Sequence, residues 1–274
     1  MNRTYDIAVV LPTRGRTDAL ERSVVSLVNR AVNLDKIQII MGFDEDDTEG
    51  IEHFQENVQP LLEKRKVNFT AMVFEPLGYT RLNEYVNAMA LASDADWIMF
   101  WNDDAVMDSA GWDKVIASHT GEFKLLAVHT HKDHPYSIFP IAPREWLDHM
   151  GYLSPHQISD AWLSQQAYML DIWERIPVHV THDRHDLTGN NNDDTYKNRI
   201  MYEGNPADAR DFHNASWISR RMIDAEKIAQ LMKSRGLDTT FWDNVKTGKQ
   251  DPWEKLRAND VNKQMMQYSL KITK

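Results

Sequence analysis

Asp96-Trp97-Ile98-Met99-Phe100-Trp101-Asn102-Asp103-Asp104-Ala105 runs from apolar side chains straight into an amide and two adjacent carboxylates. A short apolar run bounded by polar residues reads as a buried strand. Carboxylates at the C-terminal end of such a strand stand where open α/β sheets bind ligands. Hard cations such as Mg²⁺ or Mn²⁺ take oxygen ligands and often bridge one or two carboxylates to substrate phosphates. The stretch therefore points to a metal–diphosphate site, with a solvated acidic turn as the plain alternative.

Working outward, Ile7-Ala8-Val9-Val10-Leu11 is an apolar strand closed by Pro12-Thr13-Arg14-Gly15-Arg16. A helix is expected from about Asp18, with Leu20, Val24, Leu27, Val28 and Ala31 on one face and Asp18 with Glu21 as a capping box. Lys36 to Phe43 reads as a second strand ending in Asp44-Glu45-Asp46-Asp47, followed by an amphipathic helix over Glu52 to Lys64. Val67 to Phe74 is a third strand, and Leu77-Gly78-Tyr79 a turn. Leu82, Val86 and Met89 give the buried stripe of the helix that leads into the acidic strand. This β-α-β-α-β-α-β order predicts a mostly parallel, helix-covered sheet. Parallel strands open their following loops on one edge, which groups Thr13 to Arg16, Asp44 and Asn102-Asp103-Asp104 around one crevice.

Downstream, strands are expected at Lys124 to Val128 and Val178 to Thr181, and helices at Arg144 to Met150, Asp160 to Leu170 and Ser216 to Ser234. Gly189-Asn190-Asn191-Asn192-Asp193-Asp194 reads as a polar loop. The hydrophobic and charged fractions, 42% and 26%, are those of an ordinary globular chain of 274 residues. No stretch is apolar for long enough to insert in a membrane. The N-terminus shows no basic region followed by an apolar one. With no cysteine, these features make a cytoplasmic location the expectation. A formal net charge of −10 disfavours broad nucleic-acid binding but leaves room for a local basic face.

The order and spacing of these motifs resemble family-two-like glycosyltransferases with the A-type (GT-A) fold, over roughly residues 5–190. The resemblance implies that Pro12 and Thr13 open a nucleotide site and that Asp44 contacts the base or ribose. Gly78-Tyr79-Thr80-Arg81-Leu82-Asn83 looks like a variant of the helix start that precedes the family's metal motif, which brings Arg81 and Asn83 to the donor. The Asp-x-Asp motif falls on Asn102-Asp103-Asp104; Asn102 departs from it, so Asp104 is the expected metal ligand, joined by a late histidine, His182, with His185 and His213 as competitors. Asp160, in Ile158-Ser159-Asp160-Ala161-Trp162, takes the place of the catalytic base, with a helix-capping carboxylate as the alternative. The implied donor is a nucleotide-diphosphate sugar, the implied cofactor Mn²⁺ or Mg²⁺, and the implied outcome inversion. Arg14, Arg16 and Arg81 are candidate phosphate partners, since guanidinium suits bidentate phosphate recognition. Trp162 is a candidate for stacking on a sugar, with core packing as the default.

The expected division is a catalytic domain over 1–215, with a nucleotide-sugar half to about 106 and an acceptor half beyond it, and a helical extension over 216–274. Two other functions compete. His129-Thr130-His131-Lys132-Asp133-His134 reproduces the His-x-His-x-Asp-His pattern of metallo-β-lactamase-like hydrolases, but Pro135 follows it and the preceding half alternates βα. A non-catalytic nucleotide-sugar binder is the other. The acceptor is open. A hydroxylated base in DNA, as in phage-type DNA-modifying enzymes, is the specific expectation, with Lys246, Lys249, Lys255, Arg257, Lys263, Lys271 and Lys274 as phosphate contacts.

Overall fold

The computed structural model describes residues 3–130, 136–194, 196–199 and 212–254. Strands β1 (Tyr5–Thr13), β2 (Ile37–Asp44), β3 (Asn68–Phe74) and β4 (Ala95–Phe100) are joined by α1 (Thr17–Arg30), by α2 (Thr48–His53) with α3 (Gln59–Arg65), and by α4 (Leu82–Leu91). These four strands pair parallel in the order β3-β2-β1-β4. The strands β5 (Ala105–Met107), β6 (Leu125–Thr130), β7 (Ile141–Pro143) and β8 (Trp173–His182) extend the sheet as β4-β7-β6-β8-β5. Here β7 runs antiparallel to β4 and β6, β6 is parallel to β8, and β5 is antiparallel to β8. The sheet curls, so that its last strand, β5, packs against α1, and the short helices α5 (Trp112–Ala117) and α8 (His185–Thr188) follow β5 and β8 in the chain. The result is the mostly parallel, helix-covered sheet that the βα alternation predicts.

Strand parity explains why these runs are apolar throughout. Odd positions (Ile7, Val9, Leu11; Ile39, Met41; Trp97, Met99, Trp101) face one core beneath α1, and even positions (Val10, Ile40, Ile98, Phe100) face a second beneath α4, α6 (Arg144–Met150) and α7 (Ser159–Leu170). Side chains alternate along a strand, so a sheet covered on both faces needs apolar residues at both parities. Gly42 serves the same packing, since a Cβ there would lie 3.0 Å from Met89 Sδ of α4. The 20-residue helix α9 (Ala215–Ser234) adds Ala225, Ile228, Ala229 and Met232 to the second core, and α10 (Thr240–Lys246) adds Trp242.

Several local expectations are corrected. No capping box forms at α1: Asp18 lies in the first turn, the cap position is Arg16, and no side chain bonds to the helix end. A first-turn carboxylate still favours the positive end of the helix dipole. The helix expected from Glu52 begins at Thr48, because Asp47 caps it by accepting Gly50 N. It is interrupted by a π turn at Phe54–Val58, where Pro60 lacks an N–H and its ring crowds the carbonyl one turn back. Strand β8 spans ten residues instead of four, since β6 and β5 pair with different parts of it.

Trp101 carries the acidic turn. It is buried against Phe139, with ring centroids 5.1 Å apart, and its Nε1 donates to Ser23 Oγ (2.7 Å). Trp101→Ala is expected to lower stability by ~3–5 kcal/mol, the usual cost of deleting a buried aromatic. The urea midpoint with unchanged slope is the measurement; a loss below ~1 kcal/mol would mean that the turn does not depend on this ring.

Candidate functional site

The loop after β1 divides its two arginines. Gly15 has φ +62°, a left-handed conformation that side-chain-bearing residues avoid, and its N–H donates to Asp47 Oδ2 (2.9 Å). On one side Arg14 Nη1 donates to Asp44 Oδ2 (2.7 Å), and its guanidinium also pairs with Asp46. On the other side Arg16 Nη1 donates to Asp103 Oδ1 (2.9 Å) and lies 3.4 Å from Asp104 Oδ2, while its Nε and Nη2 reach Asp193. Thr13 Oγ1 donates to Asp103 Oδ2 (2.9 Å). Pro12 pairs with Gly42 in the adjacent register of β1 and β2.

Asp103 and Asp104 are both buried, at 5% and 4% exposure. Burial, with Arg16 offsetting only part of it and Asp104 adding to it, pushes the Asp103 carboxyl up to about 6. Burial also acts to raise Asp104, but His182 and Arg16 outweigh it and hold that carboxyl below its ordinary range. Burial opposes the charge of Arg16, yet Asp103, Asp193 and Asp104 together raise its pKa. The turn is tied by Ser23 Oγ donating to Asn102 O (3.2 Å) and Asp183 N donating to Asp104 O (2.7 Å).

His182 ends β8 directly beside this turn, 3% exposed, with its ring edge-on to Phe139 at 5.1 Å. Its Nε2 stands 3.2 Å from Asp104 Oδ1, out of line for a hydrogen bond. Asp104 Oδ1 and both ring nitrogens of His182 are buried without hydrogen-bond partners. A carboxylate oxygen and an imidazole nitrogen left in this way fit a divalent cation. No third His, Asp or Glu joins them among the described residues. The described residues therefore offer two donors, and water and ligand oxygens would complete the shell, as is usual where a cation bridges to phosphates.

Asp44, at the end of β2, is buried, and Tyr85 Oη of α4 donates to its Oδ1 while accepting Leu77 N (2.7 Å). Burial and the hydrogen bond to Asp44 push the Tyr85 hydroxyl up to about 12, so it is a fixed neutral donor. Asn83 is half-buried in the first turn of α4. Arg81 is exposed and forms a two-pronged pair with Glu84 (2.6 Å for each bond). The Asn102 side chain is half-buried and makes no hydrogen bond among the described residues.

Asp160 occupies the first turn of α7, half-exposed, and its Oδ1 accepts Ala161 N (2.8 Å). The segment before β7 links this helix to the acidic turn: Ser137 N donates to Ser164 Oγ (3.0 Å), and Phe139, two residues on, packs against His182. Trp162 is fully buried against Phe212 and Trp217, which makes it a packing residue instead of a sugar platform.

Of the competing histidines, His129 stacks on His179 at 4.8 Å. His179 has the opposite parity to His182 in β8, so this pair lies on the face turned away from Asp104. His131, Asp133 and His134 lie outside the described residues. His185 bonds to Asn190 O at the surface, and His213 packs beside Phe212. Lys246 is committed to Glu226 (2.9 Å) and Asp243 (3.3 Å); Lys255, Arg257, Lys263, Lys271 and Lys274 lie outside the described residues.

Three contributors were not singled out from sequence. Asp193 of the polar loop clasps Arg16; Asp183 accepts from Arg22, Thr188 and Asn190 and so anchors that loop; Tyr85 orients Asp44. Only the Asp193 clasp had a trace in the sequence, in the acidic end of an Asn-rich loop.

No family model and no curated protein sequence matches this chain. Solved structures do. A mannosyltransferase, PcManGT from Pyrobaculum calidifontis, in complex with GDP-Man and Mn²⁺, aligns over 98% of this chain and 88% of its own, with a TM-score of 0.56 at 9% identity. S. aureus TarS 1–349 in complex with UDP-GlcNAc aligns over 89% and 92%, with a TM-score of 0.52 at 10% identity. A longer TarS structure aligns over 76% of this chain, which spans 43% of that one, with a TM-score of 0.51 at 11% identity. The fold is GT-A-like. No described helix is long and apolar enough to cross a membrane.

Proposed function

We propose that this protein is a metal-dependent glycosyltransferase that moves a sugar from a nucleotide-diphosphate donor to a hydroxyl acceptor with inversion. The observation that carries the reading is the pair Asp104 Oδ1 and His182 Nε2, buried, 3.2 Å apart and unmatched, on the sheet edge where β1, β2 and β4 end. A divalent cation, Mn²⁺ or Mg²⁺, held there would neutralise charge developing on the departing diphosphate. Asp44, steadied by Tyr85 and Arg14, contacts the nucleoside beside Pro12 and Thr13. Arg16 serves the diphosphate, which competes with Asp193 for the guanidinium, while Asp103 holds that side chain in place. The Asn102 amide, without a side-chain hydrogen bond among the described residues, serves the ribose. Arg81 reaches a phosphate by leaving Glu84, an exchange that costs little at an exposed site. Asn83 then lines the same helix start.

In this scheme Asp160 takes the proton of the acceptor hydroxyl as its oxygen attacks the anomeric carbon. The bond from that carbon to the diphosphate breaks on the opposite face, so the product has the inverted anomer. On this reading the transferase unit covers 1–215, and α9 and α10 of the segment that follows pack into its second core. A hydroxylated DNA base remains the acceptor to test first for specificity, by transfer to modified against unmodified duplex.

The test of the donor site is thermal stability with UDP, GDP, CDP and dTDP, each with and without Mn²⁺. A ligand at one hundred times its Kd stabilises the native state by ~2.7 kcal/mol. The expected result is a metal-dependent rise with one nucleotide. No rise with any of them, or stabilisation by Zn²⁺ with no nucleotide response, would overturn the reading.

A further inference from the structure

Arg221 of α9 is a buried cation with no carboxylate partner among the described residues. It is 2% exposed, with its guanidinium carbon 4.4 Å from the Phe212 ring centroid and 5.4 Å from that of Trp162. Nη1 donates to Phe212 O (2.8 Å), but Nη2 is buried without a partner. The adjacent Arg220 pairs with Asp224 Oδ1 (3.0 Å) and with Tyr152, so the acid one turn along is already taken. Among the described residues no carboxylate forms an ion pair with Arg221. Burying a cation without a counter-charge is costly, and burial lowers the Arg221 pKa to about 10.

Other unmatched polar atoms surround it. Trp162 Nε1 and His213 Nδ1 are buried without partners, as is Gln165 Oε1, whose amide nitrogen donates to Tyr136 Oη (3.2 Å). The cluster meets solvent at the partly exposed Tyr136, Asp160, His213 and Trp217. Trp162 and Asp160 share the first turn of α7. They are two residues apart and so point to different faces, but a group held by Arg221 Nη2 and Trp162 Nε1 would lie at the same end of α7 as the carboxylate assigned to the acceptor hydroxyl.

We infer that Arg221, with Trp162 and His213, forms a subsite for an anionic group, a phosphate or a carboxylate, carried by the acceptor. A planar guanidinium and an indole N–H are donors without acceptors, which an anionic oxygen satisfies and a neutral hydroxyl only partly satisfies. The inference rests on the glycosyltransferase reading for the word acceptor, but the anion site can be tested without any donor.

The experiment is thermal shift and titration calorimetry on the full chain with inorganic phosphate, sn-glycerol 3-phosphate and glucuronate, against NaCl at matched ionic strength. Wild type is expected to show a saturable response to phosphate probes or to glucuronate; which of the two decides between a phosphorylated and a uronic-acid acceptor. Arg221→Met is expected to lose that response while keeping its response to nucleotide and Mn²⁺. Should that variant fail to fold, Trp162→Phe removes a single donor and is expected to weaken the anion by ~10-fold. A wild type that responds no more than to NaCl, or a response unchanged in both variants, overturns the subsite. Loss of the nucleotide response in wild type, with anion binding intact, would instead count against the donor reading alone.

Discussion

Asp160→Asn is expected to lower kcat by ~10²–10⁴-fold, the range a positioned general base contributes, with nucleotide and Mn²⁺ binding unchanged. The amide keeps the size of the carboxylate and can still accept Ala161 N, as Asp160 Oδ1 does. The helix start is therefore preserved while proton acceptance is lost. A steady-state assay with the donor chosen by the thermal panel reads the effect, and proton NMR of the product reads the anomer. Full activity in the variant would reduce Asp160 to a first-turn helix carboxylate, and a product with retained configuration would rule out the inverting scheme.

Asp104→Ala is expected to remove the Mn²⁺-dependent part of nucleotide stabilisation and to lower turnover by ~10²–10³-fold, the scale of losing one group that stabilises transition-state charge. The side chain faces His182 Nε2 at 3.2 Å and Arg16 at 3.4 Å, so its removal leaves the cation site with a single donor among the described residues. Asp103→Asn is the useful contrast. Asp103 is bonded to Thr13 and Arg16, so its loss should loosen Arg16 and weaken diphosphate binding while the metal dependence survives. A variant lacking the Asp104 carboxylate that still binds nucleotide in a Mn²⁺-dependent manner would falsify the metal assignment. Urea midpoints for both variants separate these effects from unfolding.

A pH effect on stability, separate from the donor site, is expected from His213. Burial and the neighbouring Arg221 hold its imidazole down to about 4 in the folded chain. An unfolded histidine takes a proton near pH ~6.5, so between those values the unfolded state binds one proton more. Stability from this group is present above about pH 6.5 and is lost as pH falls toward about 4. His213→Asn should flatten that part of the stability profile by one proton; an unchanged slope would mean that the imidazole is already charged in the fold.

How much of this could be read from the chain depends on the range of the interactions involved. The strands β1, β2 and β4 and helices α1, α4 and α7 were legible because strand parity and helical period are written in neighbouring residues. So was the acidic turn, since an apolar run ending in Asn102-Asp103-Asp104 needs no distant partner to be noticed. The misreadings were also local in origin. The expected Asp18–Glu21 box ignored that Arg16 is drawn across to Asp103 and Asp193, residues far along the chain. The local pattern marks only part of β8, because its partners, β6 and β5, come from separate segments.

The sequence by itself determined the alternation of strands and helices, the shared edge on which three strands end, and the chemistry of the side chains placed there. Only the tertiary structure decided which histidine meets Asp104, that His129 turns to the opposite face with His179, and that Arg221 lies in an aromatic enclosure with no counter-charge among the described residues. The physical reason is that periodicity reports which face of an element is buried, whereas pairing between side chains far apart in the chain follows from how the elements are laid against one another. A histidine 78 residues from an aspartate, or an arginine 59 residues from a tryptophan, has no local signature that names its partner.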